Sequence, residues 1–459
     1  MPATYDAIVI GTGQAGPALA ARLNDEGLKT AIIERKLVGG TCVNVGCIPT
    51  KTLVGSARVA YTARQAAKFG VSVAGDVSVD MARVKSRKDE VAGASNESVT
   101  DWLNGMQNVD LIRGHARFVG PLEVEVNDKT LTAEKIFINV GARARVPDWS
   151  GLKETPYFTN SSIMDVDFLP EHLLIVGGSY IGLEFAQMYR RFGSKVTVIE
   201  MSDRVIGRDD DDVSEAVQEI LEGEGVQFHL QADCLNVRTT DTGIAVNASC
   251  DDGPLEVEGS HLLLAIGRVP NTEDLGLEKA GIETNQHGYI EVDDELKTNV
   301  SGVWALGDVN GRGAFTHTSY NDYEIVAANL FDGDSRKVSD RILCYGLFTD
   351  PPLGRVGMTE KEVRASGRRA LIGRRMMTRV GRAREFGETR GFIKIIVDAD
   401  SEQILGAAML GLSGDEAIHC LLDVMYARQP YTVISRAVHI HPTVAELIPT
   451  VLQEMKPLQ

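Results

Sequence analysis

Short apolar runs rich in β-branched residues alternate with helix-like segments along the first part of the chain. Residues 5–10, YDAIVI, lead through the turn GTGQAG into ALAARLNDEG, whose alanine and leucine spacing is typical of a buried helix. A second apolar run, LKTAIIE at residues 28–34, ends in an acid. This order of strand, glycine-rich turn, helix and strand predicts a unit that binds a dinucleotide.

The glycines of this turn have separate functions in such a unit. Gly11 is expected to form the tight turn, Gly13 to let the backbone approach a pyrophosphate, and Gly16 to let the helix pack on the strand. Glu34, at the end of the second strand, is placed to accept hydrogen bonds from ribose hydroxyls. A chance glycine turn, the alternative, does not account for the strands, the helix and the acid together.

The same pattern returns further along the chain. Residues 173–182, LLIVGGSYIG, lead into LEFAQMYRRFG and then into KVTVIE, which ends in Glu200. Ser179 stands where the middle glycine of the turn is expected, and a small side chain can be accommodated there. The repeat predicts a second dinucleotide-binding unit; the alternative is a degenerate copy that binds nothing.

Glu200 bears on the choice of coenzyme. A carboxylate at the end of this strand accepts a hydrogen bond from a free 2′-hydroxyl and repels a 2′-phosphate, which favours NADH over NADPH. Arg204 and Arg208 would instead attract a phosphate, unless they form ion pairs with the acidic run at residues 209–212. We expect that run to be a solvated helix start.

The rest of the chain completes three domains. Gly141 and Gly267 follow apolar runs that close the two units, and Asp308 ends the run VWALGD, which returns to the first unit. From about Cys344 the pattern changes to alternating strands and an amphipathic helix near residues 417–427. We therefore predict an α/β protein with two Rossmann-like dinucleotide-binding domains and a C-terminal α+β domain. The first domain is discontinuous and consists of residues 1–145 and 275–340, the second consists of residues 146–274, and the C-terminal domain consists of residues 341–459.

Composition and charge narrow the range of partners. The 459 residues include 43% hydrophobic and 24% charged residues, as in ordinary globular proteins. A net charge of −17 removes the attraction to nucleic acid and to anionic membrane surfaces, so neither is expected as a partner. The chain has no apolar run of about 18 residues and starts directly with a strand, from which we expect a cytoplasmic protein.

Two of the six cysteines, Cys42 and Cys47, lie close together in GGTCVNVGCIPTKTLV. In a reducing compartment such a pair is typical of a catalytic or metal-binding site; a buried inert pair is the third possibility. No second cysteine pair or nearby histidine supplies the further ligands that zinc needs, so no metal site is expected. The preceding glycines and the following helix-like run place the thiols near a helix N-terminus, where the dipole favours the thiolate.

Six motifs span most of the chain: GTGQAG, GGTCVNVGCIPTK, GGSYIGLEFA, AIGRVPN, VWALGDV and HIHPTVAE. Together they resemble the flavin-dependent pyridine nucleotide-disulfide oxidoreductases, the group that includes glutathione reductase, dihydrolipoamide dehydrogenase and mercuric reductase. The resemblance implies FAD in the first unit, NADH or NADPH in the second, and a homodimer formed through the C-terminal domain, which would be a dimerisation domain.

The resemblance also implies the roles of individual side chains. Cys47 would lie beside the flavin, and Cys42 would be the outward nucleophile of a redox disulfide. Lys51 and Glu184 would form an ion pair beside the flavin N5 atom. Tyr180 would gate the nicotinamide pocket, unless it only packs at a helix start. The resemblance also implies which residues contact the two nucleotides. For FAD they are Gly11, Gly13, Gly16, Glu34, Gly40, Thr41, Lys51, Gly141 and Asp308. For the nicotinamide nucleotide they are Gly177, Gly178, Tyr180, Ile181, Glu200 and Gly267.

His441 and Glu446 match the family's HP-x-x-x-E ending. The resemblance implies a general acid/base contributed across the dimer, with Glu446 orienting the imidazole. An imidazole suits this role because it titrates near neutrality and can take a proton from Cys42 and return it to a leaving thiol. From the residues alone, a loop histidine without a catalytic role is the alternative, and His439 is expected to be a packed neighbour.

The sequence is least specific about the electron acceptor. FTHTSYNDYEIV, FTDPPLGRVGMTE and GRAREFGETRGFIK resemble bacterial reactive-chlorine-resistance flavin reductases, which implies an oxidised sulfur species such as hypothiocyanous acid, or a soft metal ion such as Cu(II). A pair of thiols suits both acceptors chemically. Efficient mercury reduction is not expected, because the segment LQEMKPLQ lacks the C-terminal cysteine pair of mercuric reductases. One alternative is a dihydrolipoamide dehydrogenase, which the segment HPT at residues 441–443 and Glu200 also fit. The others are a reductase of a small-molecule disulfide such as glutathione disulfide, a transhydrogenase, and a non-catalytic flavin redox sensor.

Overall fold

The computed structural model describes residues 3–250 and 253–458, with all side chains except those of Cys234 and Cys250. Its first large sheet has five parallel strands, with Ala7–Ile10 at the centre. Every residue of Ala7–Ile10 and Thr30–Glu34 is buried, which explains why these strands appear in the sequence as continuous apolar runs. The strand order is Val303–Ala305, Lys135–Ile138, Ala7–Ile10, Thr30–Glu34 and Val109–Arg113.

The second large sheet repeats this arrangement. It is also parallel and five-stranded, and helix Tyr180–Phe192 packs on it with a mostly apolar buried face. The turn between strand and helix lies at the carboxyl end of the strands, where open α/β sheets bind their ligands. The strand order is Phe158–Thr159, His261–Leu264, His172–Val176, Lys195–Ile199 and Val226–His229.

The third large sheet is antiparallel and belongs to the C-terminal part of the chain. Helices His419–Tyr426 and Ile448–Gln453 pack on one face through leucine, isoleucine and valine side chains. The amphipathic helix predicted near residues 417–427 is helix His419–Tyr426, which Ile418 separates from the short helix Gly414–Ala417. The strand order is Cys344–Leu347, Leu353–Gly357, Ile404–Leu410, Phe392–Asp398, Ala370–Met376 and Lys456–Pro457.

Smaller sheets and the helices complete the described structure. A four-stranded sheet consists of Ala3–Thr4, Lys129–Thr132, Glu123–Val126 and Arg117–Gly120, a three-stranded one of Asp233–Thr240, Gly243–Cys250 and Gly253–Gly259, and a two-stranded one of Arg268–Pro270 and Ala142–Ala144. The α-helices are Ala15–Asp25, Gly40–Asn44, Cys47–Gln65, Met81–Asn104, Tyr180–Phe192, Asp211–Gly223, Leu277–Ala280, Thr316–Ala327, Glu360–Ala365, Gly381–Glu385, Gly414–Ala417, His419–Tyr426, Thr432–Ser435 and Ile448–Gln453. Short 3₁₀ segments occur at Ala66–Phe69, Leu152–Glu154, Ser162–Asp165, Gly307–Asn310, Val338–Asp340, Met377–Arg379 and Ala445–Leu447, and a π-helical turn at Ala328–Asp332.

These sheets confirm the predicted fold class, an α/β protein with two Rossmann-like units and a C-terminal α+β unit. We propose that the domains have the predicted bounds, with residues 1–145 and 275–340 in the first, 146–274 in the second and 341–459 in the third. Within residues 3–250 and 253–458, no helix has both the length and the apolar composition needed to cross a membrane.

Candidate active site

The two close cysteines lie between the first nucleotide turn and a long helix. Cys42 is in the short helix Gly40–Asn44, and Cys47 is the first residue of helix Cys47–Gln65. Gly40 has a φ of 62°, and a Cβ atom there would lie 2.8 Å from the Cα of Gly13. Only glycine therefore allows the cysteine segment to pack directly on the nucleotide turn.

The two thiols share one hydrogen bond, which separates their pKa values. The hydrogen bond from Cys42 lowers the pKa of Cys47 to about 6, and the Thr316 hydroxyl and the charge of Lys51 act in the same direction. Partial burial opposes this shift. The same bond to Cys47, together with burial, raises the pKa of Cys42. The shared bond therefore favours the negative charge on Cys47, at the helix N-terminus, where the helix dipole also favours a thiolate.

An ion pair stands beside the dithiol. Lys51, one turn after Cys47, places its Nζ 2.8 Å from Oε2 of Glu184, which is buried on helix Tyr180–Phe192. The backbone N–H of Phe348 donates to the other carboxylate oxygen at 3.0 Å, and the Lys51 ammonium lies 4.5 Å from the centre of the Phe348 ring. Elements from all three large units therefore fix this pair.

The first glycine-rich turn is tightly built around Asn139. Gly11 has a φ of 104°, and Cβ atoms on Gly11 or Gly16 would collide with backbone carbonyl groups. The Nδ2 atom of Asn139 lies 3.3 Å from the position of a Cβ on Gly13, and it is buried without a hydrogen-bond partner among the described residues. A buried free donor beside a glycine turn fits the polar pyrophosphate of a dinucleotide such as FAD.

The two carboxylates predicted to hold FAD are Glu34 and Asp308. Glu34 accepts hydrogen bonds from the Thr12 hydroxyl at 2.5 Å and from the backbone of Lys36 at 2.7 Å. Asp308 follows strand Val303–Ala305 and lies 3.3 Å from the Nε atom of Arg268. Burial raises the pKa of Asp308, against the attraction of Arg268. Of the other contacts predicted for FAD, Thr41 is in helix Gly40–Asn44, and Gly141, with a φ of 66°, precedes strand Ala142–Ala144. Gly267, predicted for the nicotinamide nucleotide, has a φ of 108° and precedes the partner strand Arg268–Pro270.

The second turn has the same construction. A Cβ on Gly177 or Gly182 would collide with a backbone carbonyl, whereas Ser179 is in an extended conformation that accepts a side chain. Glu200 receives hydrogen bonds from the backbone of Gly178 at 2.6 Å and of Ser202 at 2.8 Å. These bonds hold the carboxylate at the nucleotide turn. Ile181, in the first turn of the following helix, is half-buried.

The acidic run at residues 209–212 was expected to be a solvated helix start, but it is only partly exposed. Arg204 does pair with Asp203 and Asp211, and Arg208 is exposed. Asp209 and Asp210, however, are buried, so the prediction of a solvated helix start is wrong for them. Groups from the C-terminal sheet balance their charges: Asp210 lies 2.8 Å from Lys394, and Asp209 lies 3.6 Å from Arg355 and accepts a hydrogen bond from Tyr345. Asp209 also accepts a hydrogen bond from Tyr180, at the start of helix Tyr180–Phe192.

His441 lies on an exposed segment of the C-terminal unit. Its Nδ1 is 2.8 Å from Glu446 Oε2, and its side chain is 80% exposed. The guanidinium of Arg382 donates to the carbonyl of Pro442 and holds the segment in place. Within one protomer, the described contacts join this imidazole to Glu446 and to neither thiol. His439 is half-buried and contacts the carbonyl of Ala437.

Sequence reasoning missed several side chains of this site. Thr316 lies 3.0 Å from the Cys47 sulfur, and Phe348, Asn139, Asp209 and Tyr345 make the contacts described above. Two of them lie in segments already noted, FTHTSYNDYEIV and FTDPPLGRVGMTE, but no local pattern marks a contact across such separations. Among the described residues, no group of three or more His, Cys, Asp or Glu side chains is arranged to hold a metal ion.

Comparison with known proteins identifies the class of protein. Residues 5–322 match the family model described as pyridine nucleotide-disulphide oxidoreductase, and residues 344–452 match its dimerisation domain. The chain therefore belongs to the pyridine nucleotide-disulphide oxidoreductases, which are flavin-dependent enzymes that use FAD and NAD(P)H. The second match supports a homodimer.

Particular members of this family are similar over nearly the whole chain. The probable pyridine nucleotide-disulfide oxidoreductase RclA of Escherichia coli strain K12 is 37% identical, covering 96% of this chain and 97% of the relative. The solved structure of the Cu(II) complex of the HOCl-induced flavoprotein disulfide reductase RclA from E. coli has a TM-score of 0.89 at 35% identity, and the match covers 98% of this chain and 99% of that chain. A mercuric reductase of Streptomyces lividans is 33% identical, covering 97% and 94% of the two chains. A dihydrolipoyl dehydrogenase of Bacillus subtilis strain 168 is 32% identical, covering 98% and 97%.

Proposed function

We propose that this enzyme passes electrons from NAD(P)H, with a preference for NADH, through a Cys42–Cys47 disulfide to an oxidised sulfur species or a soft metal ion. The observation that carries the proposal is the thiol pair itself. One thiol has a lowered pKa and the other a raised pKa, and both lie between a nucleotide turn and the Lys51–Glu184 ion pair.

The first nucleotide turn, Glu34 and Asp308 would hold FAD, with Lys51 beside its reactive ring. When bound, FAD supplies a two-electron redox centre between the nicotinamide nucleotide and the thiol pair. The second turn would hold the nicotinamide nucleotide, with Glu200 on the ribose. Because a carboxylate in this position repels a 2′-phosphate, NADH is the preferred coenzyme.

The dithiol carries out the second half of the reaction. The hydrogen bond to Cys47 and burial raise the pKa of Cys42, so this thiol needs a base before its sulfur can act as a nucleophile. We propose that His441 of the partner subunit is that base. Its exposure and its hydrogen bond to Glu446 within one protomer suit a group that acts on a neighbouring subunit. Two exposed apolar residues on the same segment, Val438 and Ile440, would be covered in the homodimer.

The bonds change in two steps when the acceptor is an oxidised sulfur compound. The Cys42 sulfur bonds to the electrophilic sulfur while the acceptor's leaving group departs with the proton that His441 took from Cys42. The Cys47 thiolate then attacks the Cys42 sulfur, which releases the reduced compound and forms the disulfide. With Cu(II), two ions each take one electron, the Cys42 thiol loses its proton to the base, and the Cys42 and Cys47 sulfurs form the disulfide.

Similarity supports this choice of acceptor. RclA of E. coli, described as an HOCl-induced flavoprotein disulfide reductase, is more similar to this chain than the mercuric reductase and the dihydrolipoyl dehydrogenase. The second candidate function is dihydrolipoamide oxidation, which the paired His441 and Glu446 and the 32% identity to the B. subtilis enzyme also favour. A non-catalytic sensor loses support, because the chain belongs to a family of enzymes.

A panel of acceptors tests the proposal. Purified, FAD-loaded protein is assayed with NADH and with NADPH against hypothiocyanous acid, Cu(II), Hg(II), glutathione disulfide and lipoamide. We expect the highest kcat/KM with NADH and either hypothiocyanous acid or Cu(II). A higher kcat/KM with lipoamide would favour the second candidate, and a preference for NADPH would contradict the role of Glu200.

A further inference from the structure

The segment at residues 438–443 carries His441 and has few attachments to its own protomer. Its backbone is in neither a helix nor a strand, and Val438 and Ile440 are 100% and 81% exposed. The hydroxyl of Thr443 donates to the carbonyl of Ile440 at 2.8 Å, a bond inside the segment that sets only its local shape. Contacts from outside the segment must therefore decide where the imidazole lies.

Two side chains outside the segment supply such contacts. Oε2 of Glu446 lies 2.8 Å from Nδ1 of His441. Both Nε and Nη2 of Arg382 donate to the carbonyl of Pro442, at 3.1 and 2.5 Å. Within the described parts of the chain, Arg382 is the only residue distant in sequence that forms a hydrogen bond with residues 438–443. This arginine is therefore the hydrogen-bonded link between the segment and the rest of the C-terminal unit.

The Arg382 side chain is itself held in place. It belongs to helix Gly381–Glu385, whose Ala383 is buried in the C-terminal core. The guanidinium lies 5.2 Å from the centre of the Phe386 ring and 3.6 Å from Oε2 of Glu385. A planar guanidinium presents its donors in a rigid fork, which the ammonium of a lysine cannot do. The fork can thus fix one carbonyl oxygen relative to the core.

The position of that carbonyl bears directly on the imidazole. Pro442 follows His441 in the chain, so a displacement of its carbonyl moves the histidine as well. Glu446 engages Nδ1, which leaves Nε2 as the nitrogen that can exchange a proton. Misplacing a reacting group by about 1 Å can cost about 10²-fold in rate. A side chain that touches neither thiol can therefore affect the proton transfer.

We propose that Arg382 is a positioning residue for His441, which it holds in place for acid/base work on the partner subunit's Cys42. The inference rests on the proposed function, in which His441 is the base for that thiol. Glu446 sets the direction of the ring, and Arg382 sets the place of the backbone that carries it. Both act through His441 and neither touches the reacting sulfur.

Alkylation of Cys42 by iodoacetamide tests the inference without an electron acceptor. FAD-loaded protein is reduced anaerobically with one equivalent of NADH, and labelling of Cys42 at neutral pH is followed by peptide mass spectrometry. Because the thiolate is the form that reacts, the labelling rate reports how well the base reaches this thiol. We expect the rate to fall by about 10²-fold in His441→Ala and by about tenfold in Arg382→Met.

A double variant shows that the effect of Arg382 passes through His441. Once His441 is alanine, Arg382→Met should have no further effect, so the double variant and His441→Ala should be labelled at the same rate. Flavin reduction by NADH, followed by stopped-flow absorbance, should keep its rate in every variant because it does not involve the base. Arg382→Lys keeps the charge but has a flexible stem in place of the fork, so its labelling rate should fall by about threefold.

Arg384→Met is the matched control. The Arg384 side chain is on the same helix, is exposed, and has no hydrogen bond or ion pair with any other described residue. Its replacement removes the same charge and should leave the labelling rate unchanged. Sedimentation velocity and thermal denaturation check that each variant is a folded dimer. If Arg382→Met does not pass this check, Arg382→Lys with and without His441 decides the question.

Two results would overturn the inference. One is a labelling rate in Arg382→Met equal to that in Arg384→Met. The other is the same slowing by Arg382→Met with and without His441, as a general effect on the dimer would give. In both cases His441→Ala is still labelled slowly, and the proposed function stands. If His441→Ala were labelled at the unchanged rate, the base assigned in the proposed function and the inference about Arg382 would fail together.

Discussion

Replacing Thr316 by valine tests how the negative charge on Cys47 is stabilised. The Thr316 hydroxyl lies 3.0 Å from the Cys47 sulfur and is one of three groups that lower the pKa of this thiol to about 6. Valine has nearly the same shape as threonine but has no donor. The change therefore removes one hydrogen bond from the thiolate and leaves the Cys42 bond and the Lys51 charge in place.

The size of the effect follows from the strength of that bond. A hydrogen bond to a charged group contributes about 1.5 kcal/mol at the lower end of its range, which is the appropriate end because Cys47 is partly exposed. One pKa unit corresponds to about 1.36 kcal/mol, so the pKa of Cys47 should rise by about one unit, toward 7. The removed hydrogen bond stabilises the thiolate form of Cys47. In Thr316→Val the thiolate is therefore protonated at a higher pH than in the unchanged protein.

The assay follows the charge-transfer absorbance between the thiolate and oxidised flavin after anaerobic two-electron reduction. Titration of this band with pH should give a midpoint near 6 for the unchanged protein, about one unit higher for Thr316→Val, and close to the original value for Thr316→Ser, which keeps the hydroxyl. An unchanged midpoint in Thr316→Val, or an equal shift in Thr316→Ser, would refute the claim that the Thr316 hydroxyl stabilises the Cys47 thiolate.

Three further predictions address the dithiol, the base and the buried charges. Cys42→Ser should keep the charge-transfer band and Cys47→Ser should lose it; a band in both variants would reverse or abolish the assignment of the thiols. His441→Ala should slow disulfide turnover by about 10²-fold or more while stopped-flow flavin reduction by NADH stays near normal, and equal loss in both half-reactions would contradict its acid/base role. Arg191 is buried and pairs with Glu224 at 2.7 Å, so Arg191→Met should lower the free energy of unfolding by about 3 kcal/mol in urea denaturation. A loss of less than about 1 kcal/mol would indicate that the Glu224 carboxylate finds another partner.

The nucleotide turns could be predicted because their chemistry is local. The positive φ of Gly11 and Gly177 and the tight packing of Gly16 are imposed by residues close in sequence or by the adjoining strand. The same holds for Cys42 and Cys47, whose spacing brings them into one hydrogen bond across a short turn. The strands could be predicted from their apolar runs, because parallel strands covered on both faces are apolar throughout.

Contacts between distant segments could not be predicted in this way. Four consecutive acids are typical of a solvated surface, yet Asp209 and Asp210 are buried because the C-terminal sheet brings Arg355 and Lys394 to them. Thr316 likewise reaches Cys47 only through the packing of its helix against the dithiol. Such positions depend on how the units dock, which hydrophobic periodicity along one segment does not encode.

Counting thiols after reduction by the coenzyme tests the central claim most directly. Oxidised, FAD-loaded protein is mixed anaerobically with one equivalent of NADH, and newly formed thiols are alkylated and located by peptide mass spectrometry. The account predicts two new thiols per chain, at Cys42 and Cys47. Full consumption of NADH with no new thiol at either position would contradict it.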